Sequence, residues 1–415
     1  MFHLLIHHAF IFGPTARIVA FAQALAWTTA TLVVASMAYS LLALFAAYSF
    51  RAYSRRNLPV LTAESAPAVS LLKPVKGFDP AMMEAFRSHC RQAYAGRFEL
   101  IFGASSEDDP AVPAVRQLIA EFQHIPIRLI LCPLRLGTNG KVSNLIQMLP
   151  HALFDHLLIN DSDILVSPSY LTRVMEQFAI PTRPARPVGM VTALYRGRAH
   201  GTLGSIFEAL GISTDFMSGV LVSRIVERGI HFGLGSTLAV RRDALTSAGG
   251  LESLVDHLAD DYEMGARIDH AGFEVRLATE VVETSIPAYS LAGYWSHQLR
   301  WARTVRDSRK WGYVGLLFTH LLPLALLNVL ASGLSLTSLW LLSLAIFLRL
   351  GVAMQVGALA IRDHQVLPNL LMLPLRDLAG FAIWIGSFAG NTILWRGEKF
   401  ILKNGRLFHP GTQQP

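Results

Sequence analysis

Apolar residues in this 415-residue chain are concentrated in two blocks that flank a long mixed segment. The first block covers residues 18–50, and the second fills residues 314–394. Each is longer than the roughly 20 apolar residues that a membrane-spanning helix needs. The chain as a whole is 52% hydrophobic and only 16% charged, with a mean hydropathy of +0.40. This pattern predicts a membrane protein with a globular domain between two membrane-embedded parts.

The N-terminal block could be a cleaved signal peptide or a retained anchor. A signal peptide has an apolar core of about 7–15 residues followed by a small-residue cleavage site. This run is longer and ends in Arg51, Arg55 and Arg56, so we predict a retained anchor. Because basic residues flanking a span stay on the inner side of the membrane, we expect the globular domain in the cytoplasm. The protein is then a multi-pass protein of the inner (cell) membrane.

We divide the chain into an N-terminal membrane anchor at residues 1–56, a globular domain at 57–310 and a tail of membrane segments with basic residues at 311–415. In the tail, residues 314–331 and 334–361 can form a helical hairpin. The third apolar stretch, residues 370–394, is broken by Pro374, Arg376 and Asp377. A full third crossing would carry the basic residues after it outside, against the charge rule. This stretch therefore either spans the membrane or re-enters it.

The net charge of +7 is compatible with nucleic-acid binding, but the Lys and Arg residues are dispersed and cluster mainly beside the apolar blocks. Attraction to anionic lipid head groups explains this distribution better. We therefore predict membrane lipids as partners and no nucleic acid. The two cysteines, Cys90 and Cys132, lack metal-ligand spacing, and we assign them no function.

Between the apolar blocks, strand and helix signals alternate in the way that is typical of a mostly parallel sheet covered by helices. Residues 203–230 carry apolar side chains at a spacing of three or four. They form either a core-facing helix pair or an amphipathic element on the bilayer, where a lipid acceptor could enter. Strands are predicted at residues 68–74, 98–103, 127–131, 156–160, 188–194 and 235–240, and helices at 110–123 and 141–149.

Four polar clusters lie near predicted strand ends or helix starts, and the most informative is Asp161-Ser162-Asp163. It follows the strand at residues 156–160, so both carboxylates lie at the carboxyl edge of the sheet, where open α/β sheets bind ligands. Carboxylate oxygens suit Mg²⁺ or Mn²⁺, which usually keep positions for phosphate oxygens. The pair predicts a metal–diphosphate site, although Asp-x-Asp after a strand also occurs as a simple cap or turn.

Each of the other three clusters also has a purely structural explanation. Residues 107–110, with Asp109, could cap a helix ahead of Pro110 at its first position. Residues 260–263, with Asp261, follow a predicted helix at 251–259 and could be a solvated face. The last cluster contains His297, Arg300 and Trp301. It lies just before the tail and could mark the membrane interface.

Taken together, the clusters favour transfer of a sugar from a nucleotide diphosphate. Departure of a diphosphate needs a cation for the developing negative charge. A carboxylate within hydrogen-bond reach can remove the proton of the acceptor hydroxyl. An Arg can hold phosphate oxygens in bidentate fashion, and a Trp can stack on a sugar or base. The chain supplies each of these groups in a plausible order.

The set Asp109, Asp161, Asp261 and Arg300-Trp301 resembles the D, D, D, (Q/R)xxRW signature of the ceramide glucosyltransferase family, which are inverting enzymes with a GT-A fold. Residues 69–74, 108–111, 141–145 and 260–262 carry further matches, and the resemblance covers residues 69–306 with the flanking apolar segments. One departure is His297, which stands where the signature has Gln or Arg.

The resemblance implies an α/β fold: a GT-A domain, Rossmann-like and of the nucleotide-diphospho-sugar transferase type, between an N-terminal transmembrane helix and C-terminal transmembrane or re-entrant helices. The resemblance also implies roles for individual residues, according to their positions in the family signature. Asp109 would contact the uracil or ribose, and Asp161 and Asp163 would hold the nucleotide with Mg²⁺ or Mn²⁺. Asp261 would be the general base, with a pKa raised by burial next to Asp260. Lys141 would reach the donor. The diphosphate and acceptor side would be lined by His297, Arg300 and Trp301.

Within the family, residues 160–164, 194–197, 257–261 and 299–304 resemble the bacterial hopanoid-biosynthesis branch. That branch implies transfer of N-acetylglucosamine from its UDP form to a hydroxyl of bacteriohopanetetrol. Ceramide glucosyltransferase, which takes UDP-glucose, is the alternative. A processive polysaccharide synthase would share the signature, but too few spanning segments are predicted for a polymer channel. A catalytically dead, lipid-binding membrane scaffold is the alternative of another class, and the intact set of acids argues against it.

Overall fold

The computed structural model describes residues 14–56, 58–79, 81–180, 186–395 and 398–410. Residues 1–13 of the predicted anchor region and 411–415 of the predicted tail lie outside this part. The described chain begins with a helix of 41 residues, α1 (Pro14–Ser54), which has Arg51 in its last turn. Just before the helix ends, the Tyr53 hydroxyl donates a 2.6 Å hydrogen bond to Gln177 Oε1 in the globular domain. The anchor helix therefore runs directly into that domain.

A mixed sheet of eight strands forms the centre of the globular domain. Its strands are β1 (Val69–Val75), β2 (Phe98–Ala104), β3 (Ile127–Leu131), β4 (His156–Ile159), β5 (Ile164–Leu165), β6 (Val188–Arg198), β7 (Leu238–Arg241) and β8 (Glu274–Ser285). They lie in the order β3-β2-β1-β4-β7-β6-β8-β5.

The first half of this sheet is parallel, as predicted, and the second half is mixed. Strands β3, β2, β1 and β4 all pair in parallel, whereas β7 is antiparallel to both β4 and β6, and β5 is antiparallel to β8. Only β6 and β8 pair in parallel in the second half. Alternating strand and helix signals do not encode strand direction, so the prediction of a mostly parallel sheet was too simple.

Helices cover the sheet and form the membrane-side part of the molecule. Those of the globular domain are α2 (Met82–Cys90), α3 (Ala111–Glu121), α4 (Gly140–Met148), α5 (Tyr170–Ala179), α6 (Leu203–Gly211), α7 (Met217–Val226), α8 (Arg242–Ser247), α9 (Asp260–His270) and α10 (Leu291–Ser308). Those of the tail are α11 (Lys310–Gly315), α12 (Leu321–Ala331), α13 (Leu336–Val352) and α14 (Leu373–Ser387).

Two local predictions were wrong. The helix predicted at residues 251–259 is only a short 3-10 turn, Glu252–Leu254. The segment is held by contacts distant in sequence instead: the Val255 carbonyl accepts a 2.8 Å hydrogen bond from the Asn139 N–H. The strand predicted from residue 235 begins at Leu238, because residues 234–237 form a turn closed by a 3.0 Å hydrogen bond from the Thr237 N–H to the Leu234 carbonyl.

The apolar segment that follows β6 is buried, which agrees with the core-facing alternative. Helices α6 and α7 are joined by a π-helical turn, Ile212–Phe216, into one helical segment, Leu203–Val226. Of its apolar window, 61% is buried inside the protein. Its neighbours include the anchor helix α1 as well as α10 and α14. The segment thus links the sheet to the apolar helices.

The π-helical turn carries Asp215 into a buried cluster of four charges. Arg349 of α13 donates to the two carboxylate oxygens of Asp377 at 2.7 and 2.9 Å. Its guanidinium also bonds the Thr214 hydroxyl at 2.9 Å and lies 3.3 Å from Asp215. Arg376 forms ion pairs with both Asp215 and Asp377. The two cations and two anions are balanced, which makes their burial among apolar helices tolerable.

Apolar helices occur where the sequence predicted them, with one break. In the described part of the chain, four helices are long and apolar enough to span a membrane, or five if the bent pair Lys310–Thr319 and Leu321–Ala331 counts as one span. Three of the four lie in the predicted apolar blocks, and the fourth is the buried segment Leu203–Val226, which was not predicted to span. The bent pair replaces the single helix expected at residues 314–331, and its bend is 65°. Pro323 explains the break, because its ring clashes with the carbonyl of Thr319 in a continuous helix.

The last described residues lie on the globular domain rather than in the membrane part. A three-stranded antiparallel sheet consists of β9 (Thr392–Trp395), β10 (Glu398–Lys403) and β11 (Arg406–Phe408). Arg406 forms a β-bridge to His257, and the Leu258 N–H donates a 3.2 Å hydrogen bond to the Gly405 carbonyl. We call β9, β10 and β11 the tail sheet. The third predicted apolar stretch therefore ends as a strand of this sheet.

Replacing Arg349 by Met should destabilise the fold by about 3–5 kcal/mol, because a buried ion pair loses one partner. The double variant Arg349→Met/Asp377→Leu restores charge balance and should recover most of that loss. Thermal unfolding in detergent, followed by tryptophan fluorescence, measures both variants against the parent protein. A double variant no more stable than the single one would show that charge balance does not hold this cluster together.

Candidate active site

The Asp161-Ser162-Asp163 turn leaves the carboxyl end of β4, as predicted. Before the turn, the buried Asn160 amide donates to the Tyr170 hydroxyl at 2.9 Å and to the Ser236 carbonyl at 2.6 Å. After it, the Thr284 hydroxyl of β8 donates to Asp163 Oδ2. The turn is therefore fixed at both of its ends, with Asp161 at its start.

Lys141 connects this turn to the first turn of α9. Its Nζ lies 2.8 Å from Asp161 Oδ1 and 3.3 Å from Asp260 Oδ2. Asn139 caps α4 and donates a 3.2 Å hydrogen bond to Asp260 Oδ1, which holds the starts of α4 and α9 together. Burial alone would lower the pKa of Lys141, but the charges of Asp161, Asp260 and Asp261 raise it above its usual value. Lys141 is therefore a permanent cation among carboxylates.

Asp261 and Asp161 face the same small space, which stays open because residue 235 is a glycine. A Cβ on Gly235 would lie 3.0 Å from Asp261 Oδ2 and 3.3 Å from Asp161 Oδ2. Burial, and after it the Asp260 charge, raise the pKa of Asp261 to about 6, although Lys141 opposes both effects. A carboxylate with a pKa near 6 is ionised at neutral pH and is a stronger base than an exposed Asp.

Asp161 and Asp163 supply carboxylates for a divalent cation but not a complete set of ligands. Burial and then the Asp161 charge raise the pKa of Asp163 to about 6, which a nearby cation would counteract. Within the described ranges, no group of three His, Cys, Asp or Glu side chains is arranged to hold a metal ion. Two carboxylates fit a cation such as Mg²⁺ or Mn²⁺ when substrate phosphates and water provide the remaining oxygens.

Sequence reasoning gave no role to Lys73, which lies under the turn. It belongs to β1, whose seven residues are all buried. Its Nζ donates to the Asp161 carbonyl at 3.2 Å and lies 3.4 Å from His89 Nε2. Burial lowers the pKa of Lys73 to about 7, and the charges of Asp163 and Asp161 partly oppose this. The available sequence signal was a lysine within a strand whose other residues, apart from Ser70, are apolar.

Asp109 lies in the loop between β2 and α3, next to the start of the helix. Its Oδ1 accepts 2.9 Å hydrogen bonds from the N–H groups of Gly77 and Ala111. The second bond is the helix-capping role considered above, although Pro110 is the N-cap residue rather than the first helical residue. The first bond joins the loops that follow β1 and β2. The predicted contact of Asp109 with uracil or ribose stays a prediction.

His297 and Trp301 form an aromatic group with a buried carboxylate that sequence reasoning did not identify. His297 Nδ1 lies 3.1 Å from an oxygen of Glu208, which is 3% exposed and belongs to α6. The His297 ring stacks on Tyr289 with centroids 5.2 Å apart and lies 5.4 Å from the Trp301 ring. His297 thus has a hydrogen-bonding and stacking role of its own, although the family signature has Gln or Arg there.

Tyr195 of β6 connects the aromatic group to the carboxylates. Its ring centroid is 5.9 Å from that of Phe216, which in turn lies 6.1 Å from the Trp301 ring. Burial raises the pKa of Tyr195 well above its usual value, and four charges raise it further: those of Asp261, Glu208, Asp161 and Asp163. Burial raises the pKa of Tyr289, the stacking partner of His297, and the nearby charge of Arg300 opposes this rise. The predicted residues therefore lie around one site, apart from Asp109 on the neighbouring loop.

Comparison with known proteins identifies the family. A family model described as glycosyl transferase family 21 matches residues 25–408. The chain belongs to this family. The similarity to ceramide glucosyltransferases predicted from the sequence is thereby confirmed, and the protein is a glycosyltransferase of the nucleotide-sugar type.

Among curated relatives, ceramide glucosyltransferase 3 of Caenorhabditis elegans is 23% identical over 360 residues, which cover 83% of this chain and 75% of the relative. Ceramide glucosyltransferase 1 of the same organism is 24% identical, and the match covers 57% of this chain and 49% of that protein. The ceramide glucosyltransferase of Komagataella phaffii is 31% identical over 153 residues, 35% of this chain and 30% of the relative.

A solved structure confirms the predicted GT-A fold class. The mannosyltransferase PcManGT from Pyrobaculum calidifontis, in complex with GDP-Man and Mn²⁺, aligns with a TM-score of 0.52 at 18% identity. The alignment covers 88% of this family 21 chain and 99% of the mannosyltransferase. At this level of identity the likeness concerns the fold alone.

Gly235→Ala should lower turnover of nucleotide sugar by roughly tenfold or more, because a 1 Å displacement of reacting groups can cost about 100-fold. The added methyl group would push Asp161 and Asp261 apart. Gly140→Ala is the matched control, since a Cβ there meets nothing within 4 Å. Steady-state turnover of both variants tests this, with thermal unfolding as a check on folding. Equal losses in the two variants would contradict the close approach at Gly235.

Proposed function

We propose that this protein is a membrane-bound, inverting glycosyltransferase that transfers a sugar from a UDP-sugar to a hydroxyl group of a lipid. The observation that carries this proposal is the arrangement around Lys141: a donor-side carboxylate, Asp161, and a carboxylate with a raised pKa, Asp261, face the same small space. The apolar helices around this domain favour a lipid as the acceptor.

For the acceptor, we propose ceramide or a similar sphingoid lipid, with UDP-glucose as donor. The names of the curated relatives support this alternative better than the hopanoid acceptor predicted from the sequence. Transfer of N-acetylglucosamine to bacteriohopanetetrol therefore becomes the second candidate. It is retained because of the stretches that resemble the hopanoid-biosynthesis branch, including residues 257–261.

In the proposed reaction, Asp261 accepts the proton of the acceptor hydroxyl as the oxygen attacks the anomeric carbon. The UDP diphosphate leaves from the opposite face, which inverts the configuration. Arg300 and Trp301 line the diphosphate and acceptor side, with His297 oriented by Glu208. Lys141 stays protonated and places positive charge beside Asp161, towards the donor. Asp109 contacts the nucleoside.

We also propose that Asp161 and Asp163 hold Mg²⁺ or Mn²⁺ together with the donor phosphates. When bound, such an ion neutralises negative charge on the leaving diphosphate. The two carboxylates are oriented by separate contacts: Lys141 binds Asp161, and the Thr284 hydroxyl binds Asp163. Support comes from the raised pKa of Asp163, which reflects a buried carboxylate next to a second one.

The contacts of the tail sheet support a cytoplasmic catalytic domain and a re-entrant third segment. Because β11 pairs with His257, the chain leaves the globular domain at α10 and returns to the same side. It must therefore cross the membrane an even number of times in between. A hairpin of α12 and α13 supplies two crossings, and α14 then re-enters or lies at the interface. Lys399, Lys403 and Arg406 consequently stay on the inner side, in agreement with the charge rule.

The experiment that tests this function is an assay of the purified protein in detergent with every pair of UDP-glucose or UDP-N-acetylglucosamine and ceramide or bacteriohopanetetrol. We expect UDP release and a glycolipid, identified by mass spectrometry, with UDP-glucose and ceramide. Product only with the other pair would favour the hopanoid candidate. No transfer with any pair, with and without Mn²⁺, would favour a non-catalytic lipid-binding protein.

Two substitutions separate the proposed base from the proposed donor site. Asp261→Asn should reduce transfer by roughly 100- to 10,000-fold, the usual contribution of a general base, while UDP binding stays nearly intact. Asp163→Ala should weaken UDP binding in the presence of Mn²⁺ and reduce the difference between binding with and without the metal. Isothermal titration calorimetry with UDP measures both. Loss of UDP binding in Asp261→Asn would remove Asp261 from the acceptor side.

The rate should also depend on pH in a defined direction. Because the pKa of Asp261 is raised to about 6, its basic form is lost as the pH falls through 6, and kcat/KM should drop about tenfold per pH unit below that value. The Asp260 charge contributes to the raised pKa, so Asp260→Asn should shift this acid limb to lower pH. The measurement is a pH profile of kcat/KM for both proteins. An unshifted limb would show that another group titrates.

A further inference from the structure

A cavity of about 530 Å³ lies where the end of the anchor helix meets the globular domain. Its walls come from the last turns of α1, from β5, β6 and β8, and from the end of the π-helical segment Ala353–Ala360 with the turn that follows it. None of the proposed catalytic residues lines it. The charged side chains in its walls are Arg51, Arg55, Arg196, Arg362, Glu280 and Glu283.

The charge of this cavity is positive, because four arginines face two glutamates. Arg196 is paired with Glu283 at 2.9 Å, and Arg51 donates a 3.1 Å hydrogen bond to Gln355. Over the described ranges, the side chains of Arg55, Arg362 and Glu280 form neither an ion pair nor a hydrogen bond. Two unpaired guanidinium groups therefore face one unpaired carboxylate.

Two features of the wall indicate a ligand. The hydroxyl groups of Ser54 and Thr279 are buried without a hydrogen-bond partner among the described residues, and both residues line the cavity. Buried polar groups normally find a partner, so such groups call for an explanation. Arg362 has a left-handed backbone with φ of 58°, which is costly for a residue other than glycine and is often found at ligand sites.

The cavity lies where two candidate spans leave the membrane. Its α1 wall belongs to the span Ile18–Ser54, and the opposite wall follows the span Leu336–Ala360. In the topology proposed above, both of these ends are cytoplasmic. Lipid phosphates occupy this level of a bilayer, and basic pockets between spanning helices on this side bind anionic head groups.

We propose that this cavity binds the phosphate group of an anionic lipid. Arg55 and Arg362 hold the phosphate oxygens, as guanidinium groups do in other phosphate sites. The hydroxyls of Ser54 and Thr279 donate to the same group after a change of rotamer. Asp161 and Asp163 do not line this cavity, so the site is distinct from the proposed donor site, but Leu165 and Glu283 of its wall also line a small pocket next to Asp163. It does not depend on which sugar or acceptor the enzyme uses.

The test is native mass spectrometry of the full chain in detergent with increasing phosphatidylglycerol, compared with phosphatidylcholine. We expect retention of the anionic lipid and about 30-fold weaker binding in Arg55→Gln/Arg362→Gln, since each basic residue near a membrane surface contributes close to a factor of five. Arg91→Gln/Arg116→Gln removes the same charge at exposed positions outside the cavity and should bind like the parent protein. Equal affinity in the two double variants would overturn the proposal.

Thr279→Val distinguishes a built site from a diffuse positive field, because it removes a hydroxyl without changing charge or shape. We expect several-fold weaker lipid binding, and unchanged binding would overturn the built site.

Competition with inorganic phosphate distinguishes a lipid head group from free phosphate as the source of the bound phosphate group. A lipid site keeps phosphatidylglycerol in millimolar inorganic phosphate, whereas displacement at micromolar concentrations would overturn the lipid assignment. Transfer activity plays no part in these readouts, so the outcome is independent of the proposed function.

Discussion

The buried ammonium group of Lys141 is the contact on which the catalytic side of this molecule depends. Asp161 comes from the end of β4, and Asp260 and Asp261 come from the start of α9, about 100 residues later in the chain. Carboxylates so close together repel one another, and burial adds the cost of removing water. A permanent cation between them offsets both effects. Lys141 thus allows the proposed base, Asp261, and the proposed donor-binding acid, Asp161, to share one space.

The link between this site and the membrane is also made by charged groups. The segment from α6 to α7 offers Glu208 to His297 at one point and Asp215 to two arginines at another. Helix α6 of the segment therefore orients the aromatic group of His297 and Trp301, while the π-helical turn is tied to α13 and α14. The position of the site relative to the apolar helices is then set by directional contacts, whereas apolar packing alone would permit sliding.

The sequence was sufficient for features that depend on local patterns. Long apolar runs predicted the helices of the anchor and tail, and the apolar strand before Asp161 predicted the place of the central turn. Features that depend on distant contacts were not predictable in this way. The direction of β7 follows from its neighbours β4 and β6, and the segment at residues 251–259 is shaped by Asn139 rather than by its own helical preference. Glu208 was missed for the same reason, because an acid within an apolar helix becomes informative only when His297 is seen beside it.

The tail sheet has a consequence for the order in which this protein matures. Its strands hold the loop that leads into α9: the Leu407 N–H donates a 3.0 Å hydrogen bond to the Asp256 carbonyl, and Leu258 belongs to the small apolar cluster of that sheet. During translation, these strands leave the ribosome only after the apolar helices α1 and α12 to α14 have been made. The loop preceding the acidic pair thus gains this support late, so a chain truncated before β9 is left without it next to the proposed base.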